Sequence, residues 1–162
     1  MMQITEPVTM LTDYALGIAN LFFAFSTYNN FNSTNRVNGL LLLLGFLAEA
    51  LSAFVGGVFH GFALQLPGST RQQMWTLLVL SIGAAIGFLC SAIHSADVHR
   101  EQGKWIVAGV VIGVAGLGIQ MSGFGVSADF NHNDIFHVIQ VGAMCLFFKG
   151  ARRLRDRAYS PR

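Results

Sequence analysis

The chain has 162 residues, 53% of them hydrophobic and only 11% charged, with a net charge of +2. Ordinary soluble domains carry roughly 25% charged residues, so too few charges are present to cover a water-facing surface. A length of 162 residues fits one domain, and two cysteines without metal-ligand spacing exclude a disulfide framework or zinc finger.

The opening MMQITEPVTMLTD carries acids and no basic stretch, so no cleaved signal peptide is expected. A membrane-spanning helix needs roughly 20 mostly apolar residues. The first such stretch runs from about Thr9 to Tyr28. Asp13 and Asn20 are seven residues apart and share a helix face. Asp13 also suits the start of a helix, where the macrodipole favours an acid. The loop NNFNSTN follows.

The second span, about Val37 to Leu64, contains EALSAFVGGVFHG. Glu49 and His60 are eleven residues apart, close to three turns, with Ser52 and Gly56 near the same stripe. This face is polar and narrow, and it should point into the bundle. Glu49 reads equally well as a hydrogen-bonded packing residue or as part of a functional path. A Pro-Gly-Ser-Thr loop (67–70) leads to the third span, about Gln73 to Ala96, which contains Cys90. Its end carries His94 and His99 among charges and reads as a solvated helix terminus.

The fourth span, about Lys104 to Ser122, holds Gly109, Gly113, Gly116 and Gly118. Glycines at this spacing imply close helix packing, inside the bundle or in a homo-oligomer. The fifth span runs from about Asn133 to Ala151, with only 14 residues between Asp134 and Lys149. It crosses if Lys149 snorkels to the headgroups. Its first turns read NHNDIFHVIQ, in which Asn133 or Asp134 can cap the helix and Asp134, His137 and Gln140 share a face. Cys90 and Cys145 are expected as small buried hydrophobes. The tail RRLRDRAYSPR (152–162) suits attraction to anionic lipid. It lacks the stacking aromatics of nucleic-acid binders, so no nucleic-acid partner is expected.

The expected fold is therefore all-α: a single polytopic membrane bundle of about five transmembrane helices over residues 1–162. Continuous apolar runs do not alternate as β-barrel strands would. With five crossings, one side holds Arg36, Arg100, Lys104, Lys149, Arg152, Arg153, Arg155, Arg157 and Arg162, and the other only Arg71. The positive-inside rule then places the N-terminus outside and the C-terminus inside, in the inner membrane if the source is a bacterium. Glu6, Asp13, Asp129 and Asp134 fall on the outer side. Tyr14 and Trp75 are expected at the outer interface, Tyr28 and Trp105 at the inner one.

This topology brings Asp13, His60, His132, Asp134 and His137 to one depth on the first, second and fifth helices. Two or three imidazoles with carboxylates suit zinc with an open position, which would turn a bound water into a nucleophile. The fragments GGVFHG and NDIFHVIQ resemble the superfamily of alkaline ceramidases and adiponectin-receptor-like proteins, helical membrane proteins with an intramembrane zinc site. That resemblance implies His60 and His137 as metal ligands, lipid-amide hydrolysis, and Asp13 or Asp134 as a catalytic-site residue that is a further ligand or orients one. Gly56 stands where that family has Ser, and Asn133 where it has the first of two histidines; the family has seven helices. The pattern HNDxxHVxQ is also similar to that of small bacterial five-helix membrane proteins.

Three functions are compatible with these residues. One is a metal-dependent hydrolase of a lipid-like amide. Another is a proton-coupled transport element, with Glu49, Asn20 and Gln140 continuing the path inward. The third is a non-catalytic module that binds a partner or small ligand.

Overall fold

The computed structural model describes residues 4–29, 36–95, 100–127 and 130–158, with the side chains of 93–95, 100–103 and 153–158 left aside. The loop after the first span, His99, Asp129 and residues 159–162 lie outside what is described, as does the side chain of His94. Among the described residues there are five helices and no strand: α1 (Pro7–Tyr28), α2 (Arg36–Phe62), α3 (Gly68–Ser95), α4 (Arg100–Ser122) and α5 (His132–Ala158). All five are long and apolar enough to cross a membrane. Helices are the form such segments must take, because hydrocarbon offers no partner for an unpaired backbone group.

The distribution of side chains is that of a protein dissolved in lipid. Thr9, Asp13, Asn20, Glu49, Ser52, Ser81, Asp134 and His137 are buried. Leu11, Ile18, Phe22 and Phe25 project outward from one stripe of α1. In water this arrangement would expose a large apolar patch around a polar core. In a bilayer it puts the groups that need partners where partners exist. The chain is thus a multi-pass helical membrane protein.

The helix ends follow from local chemistry. Pro7 begins α1, where a missing N–H costs nothing. Residues 5 and 6 lie along the end of α2: Thr5 N–H donates to Gly61 O (3.0 Å) and Glu6 N–H to His60 O (3.2 Å). These carbonyls belong to the last turn of α2, which has no helical partner for them. The Pro-Gly-Ser-Thr stretch expected as a loop instead starts α3 at Gly68, with Arg71 N–H donating to Pro67 O (3.0 Å). Proline blocks the middle of a helix but not its threshold. Gly123 closes α4 at φ 69°, a left-handed conformation that a glycine adopts without penalty.

The helices pack in the order α3, α2, α1, α5, α4, so α3 and α4 each have one principal neighbour. The first and last spans are therefore neighbours. Close approach is secured by glycines. A Cβ on Gly57 would fall 2.4 Å from Tyr14 Cε1, and one on Gly45 2.9 Å from Leu89. Tyr14, expected at the interface, accordingly packs its ring against α2. On α4, Gly109 and Gly116 face Ala143 O and Ile139 of α5, so this glycine face is used within the chain. Lys149 Nζ lies 3.6 Å from the centre of the Trp105 ring, which shields the charge that the fifth span must carry.

At the end remote from the start of α1, Phe23, Phe46 and Phe148 close the bundle. Phe23 stacks on Phe148 with centroids 4.9 Å apart, and Phe46 lies 5.5 Å from Phe23. Ala24, Leu89 and Met144 complete this core. Phe46 is fully buried; Phe46→Ala is expected to cost about 3–5 kcal/mol, read as a lower midpoint of detergent-induced unfolding. An unchanged midpoint would mean the stack does not hold the helices together.

Cys90 and Cys145, expected inside, are exposed. Hydropathy alone cannot separate a core position from a lipid-facing one, since both surroundings are apolar.

Candidate functional site

The site is built where α1 and α5 begin and α2 ends. The start of α5 is fixed first. Asn131, not Asn133 or Asp134, is the cap: its Oδ1 accepts the Asn133 N–H (2.8 Å), and Asp134 Oδ2 accepts the Asn131 N–H (2.7 Å). The first bond is an N-cap on the second helical N–H, and the second is the return half of a capping box. It pins Asp134, which is fully buried, and places His137 one turn further along the face that meets α1.

His137 then meets two consecutive residues of α1. Its Nε2 lies 3.2 Å from Asp13 Oδ1, and its Nδ1 lies 3.1 Å from Thr12 Oγ1. Two tautomers satisfy this pair: Nε2–H donating to Asp13 leaves Nδ1 to accept from the Thr12 hydroxyl, whereas a protonated Asp13 donating to Nε2 leaves Nδ1–H to donate to Thr12. That hydroxyl also lies 3.0 Å from Thr9 O and 3.4 Å from Asp134 Oδ1. It has one proton and three candidate acceptors. Asn131 Nδ2 donates to Thr9 Oγ1 at 3.4 Å, which ties the α5 cap to the same cluster.

Gly56 explains one departure from the ceramidase-like pattern. A Cβ there would lie 3.0 Å from Asp13 Oδ1 and 3.1 Å from Oδ2. The Asp13 carboxylate sits against the α2 backbone, where a serine would displace it. Asp13 Oδ2 is buried with no hydrogen-bond partner.

His60 Nδ1 lies 3.0 Å from Glu6 Oε2. His132 is half-buried at the first position of α5. Among the described residues, no three His, Cys, Asp or Glu side chains gather so as to hold a metal ion. In this arrangement His137 has both ring nitrogens engaged, by Asp13 and Thr12, and His60 pairs with Glu6.

Deeper in the bundle, Gln140 Nε2 donates to Glu49 Oε1 at 3.4 Å. Asn20, expected to reach Glu49, instead donates to Leu16 O (3.0 Å), and its Oδ1 is buried without a partner. Ser52 is buried on the same helix as Glu49. The polar line then ends at the phenylalanine stack.

Sequence reasoning missed Thr12 and Asn131. A threonine in a membrane helix usually satisfies itself on its own backbone, and only the placement of α5 beside α1 gives Thr12 another partner. The signal available was the run of polar residues at 9, 12 and 13 in an otherwise apolar span.

A family model described as "Family of unknown function (DUF6962)" matches residues 8–102 and 87–156. No curated protein and no solved structure matches the chain.

Proposed function

Because the chain belongs to the DUF6962 family, a family of unknown function, we propose its activity from the site alone: a metal-independent intramembrane hydrolase of a lipid-like amide or ester. The observation that carries this is His137, held by Asp13 at one ring nitrogen and facing a hydroxyl with the other. A base oriented by a carboxylate and aimed at an oxygen nucleophile is what hydrolysis requires. Asp13 fixes the tautomer, His137 moves the proton, and Asp134 holds the start of α5 in register. The surrounding apolar helices keep bulk water out, which strengthens these polar contacts.

The distribution of basic residues supports a site facing outward, with the C-terminus in the cytoplasm; in a bacterium this places the protein in the inner membrane. The phenylalanine stack across the end of the polar line favours a one-sided site over a permeation path. The unpartnered oxygens of Asp13 and Asn20 favour a second reading, a module that binds a donor-bearing small molecule without altering it.

The test is turnover of a long-chain fluorogenic acyl ester and its amide counterpart by the purified full chain in lipid nanodiscs. Hydrolysis is expected, and it should persist after exhaustive dialysis against a chelator. Binding without turnover would favour the second reading. Turnover lost on chelation and regained with zinc would return the metal to the mechanism.

A further inference from the structure

We infer that Thr12 is the covalent nucleophile of this site and carries the acyl group as an ester on Oγ1. The inference rests on the hydrolase reading and goes one step past it, because an oriented histidine could equally activate water.

A structural role for Thr12 is the alternative to be weighed. Threonines in membrane helices commonly donate to the carbonyl three or four residues back. Thr27 does so to Phe23 O at 2.7 Å, and Thr76 to Gln72 O at 2.9 Å. Thr12 has this option on Thr9 O at 3.0 Å but also faces His137 Nδ1 at 3.1 Å. A hydroxyl that only packs needs no second acceptor with a carboxylate behind it. The burial pattern also separates the roles. Asp13 and His137 are buried, whereas Thr12 is half-buried at the seam of α1 and α5. Leu11 (61% exposed) and Val138 (57% exposed) are its apolar flanks. An acyl chain lying along them from the bilayer would bring its carbonyl carbon to Thr12 and leave the two groups behind it untouched. Long-chain acyl amides and esters are the substrates of matching shape.

In the first step His137 Nδ1 takes the Thr12 proton as Oγ1 bonds to the carbonyl carbon. The carbon–nitrogen bond of the amide, or the carbon–oxygen bond of the ester, then breaks. The departing amine or alcohol receives that proton from His137. Water next adds to the Thr12 ester with His137 as base, the fatty acid leaves, and Oγ1 regains its proton. Asn131 Nδ2, now on a long bond of 3.4 Å to Thr9, is the donor in the cluster placed to turn toward the oxyanion.

The experiment treats the nanodisc-embedded full chain with a long-alkyl fluorophosphonate and locates the adduct by peptide mass mapping. In parallel, turnover of the fluorogenic ester is measured for Thr12→Val, Thr12→Ser and His137→Gln. The adduct is expected on Thr12 and absent from Thr12→Val and His137→Gln. Thr12→Val should lose turnover on the order of 10³-fold or more, while Thr12→Ser, which keeps the hydroxyl, retains both adduct and turnover. If Thr12→Val turns over normally while His137→Gln does not, water is activated directly: the nucleophile assignment falls and the hydrolase reading stands. An adduct on another residue, or none on an active wild-type chain, also overturns the assignment. A wild-type chain with neither adduct nor turnover sinks both.

Discussion

Replacing His137 by glutamine is expected to leave the protein folded and to reduce hydrolysis of a long-chain acyl substrate by roughly 10²–10⁴-fold. Glutamine offers a donor and an acceptor of similar reach, so the contacts to Asp13 and Thr12 have a replacement. It cannot take up a proton at any usable pH. The loss should therefore appear in kcat, with the unfolding midpoint close to that of the wild type. Asp13→Asn gives a sharper version of the same experiment. With its Nδ2 turned to the ring, the asparagine donates where the carboxylate accepted, so the ring accepts at Nε2 and carries its proton on Nδ1; with its Oδ1 turned there, the tautomer is kept but the charge behind the imidazolium is lost. Either way turnover should fall while the geometry survives. An Asp13→Asn chain as active as the wild type would show that Asp13 does not set the tautomer.

Gly57→Leu is expected to unseat α1 from α2. A Cβ at this position would already sit 2.4 Å from Tyr14 Cε1 and 2.6 Å from Cδ1. Either the Tyr14 ring gives up its seat on α2 or the helix moves. Overpacking of this kind costs about 3 kcal/mol, and because α1 supplies Thr12 and Asp13, activity should fall along with stability. The matched control is Gly83→Leu on α3, where an added Cβ meets nothing within 4 Å. That chain should match the wild-type unfolding midpoint to within about 0.5 kcal/mol. Equal losses at both positions would show that glycine content, rather than the α1–α2 contact, governs stability.

The five spans were legible because length and hydropathy measure what the bilayer demands. Buried Glu49 and His137 were legible too, since an ionisable group in an apolar span needs a partner. Three things were not. The capping role of Asn131 was hidden because a polar stretch before a helix holds several residues able to cap it, and only the backbone chooses among them. The pairing of His60 with Glu6 was hidden because it depends on a short segment folding back along α2. The meeting of α5 with α1 was hidden because no local pattern says that the first and last spans are neighbours. Equal depth on three helices therefore suggested one cluster of histidines. In the structure His137 pairs with Asp13 and Thr12 of α1, and His60 with Glu6 of the N-terminal segment.

The adjacency of the first and last helices has a consequence for biogenesis. Thr12 and Asp13 enter the membrane early in translation and wait there until His137, 124 positions after Asp13 in the chain, has been synthesised and inserted. A nascent or prematurely released polypeptide therefore holds the hydroxyl without its base. Reactivity toward the surrounding lipid would switch on only when the finished molecule closes upon itself.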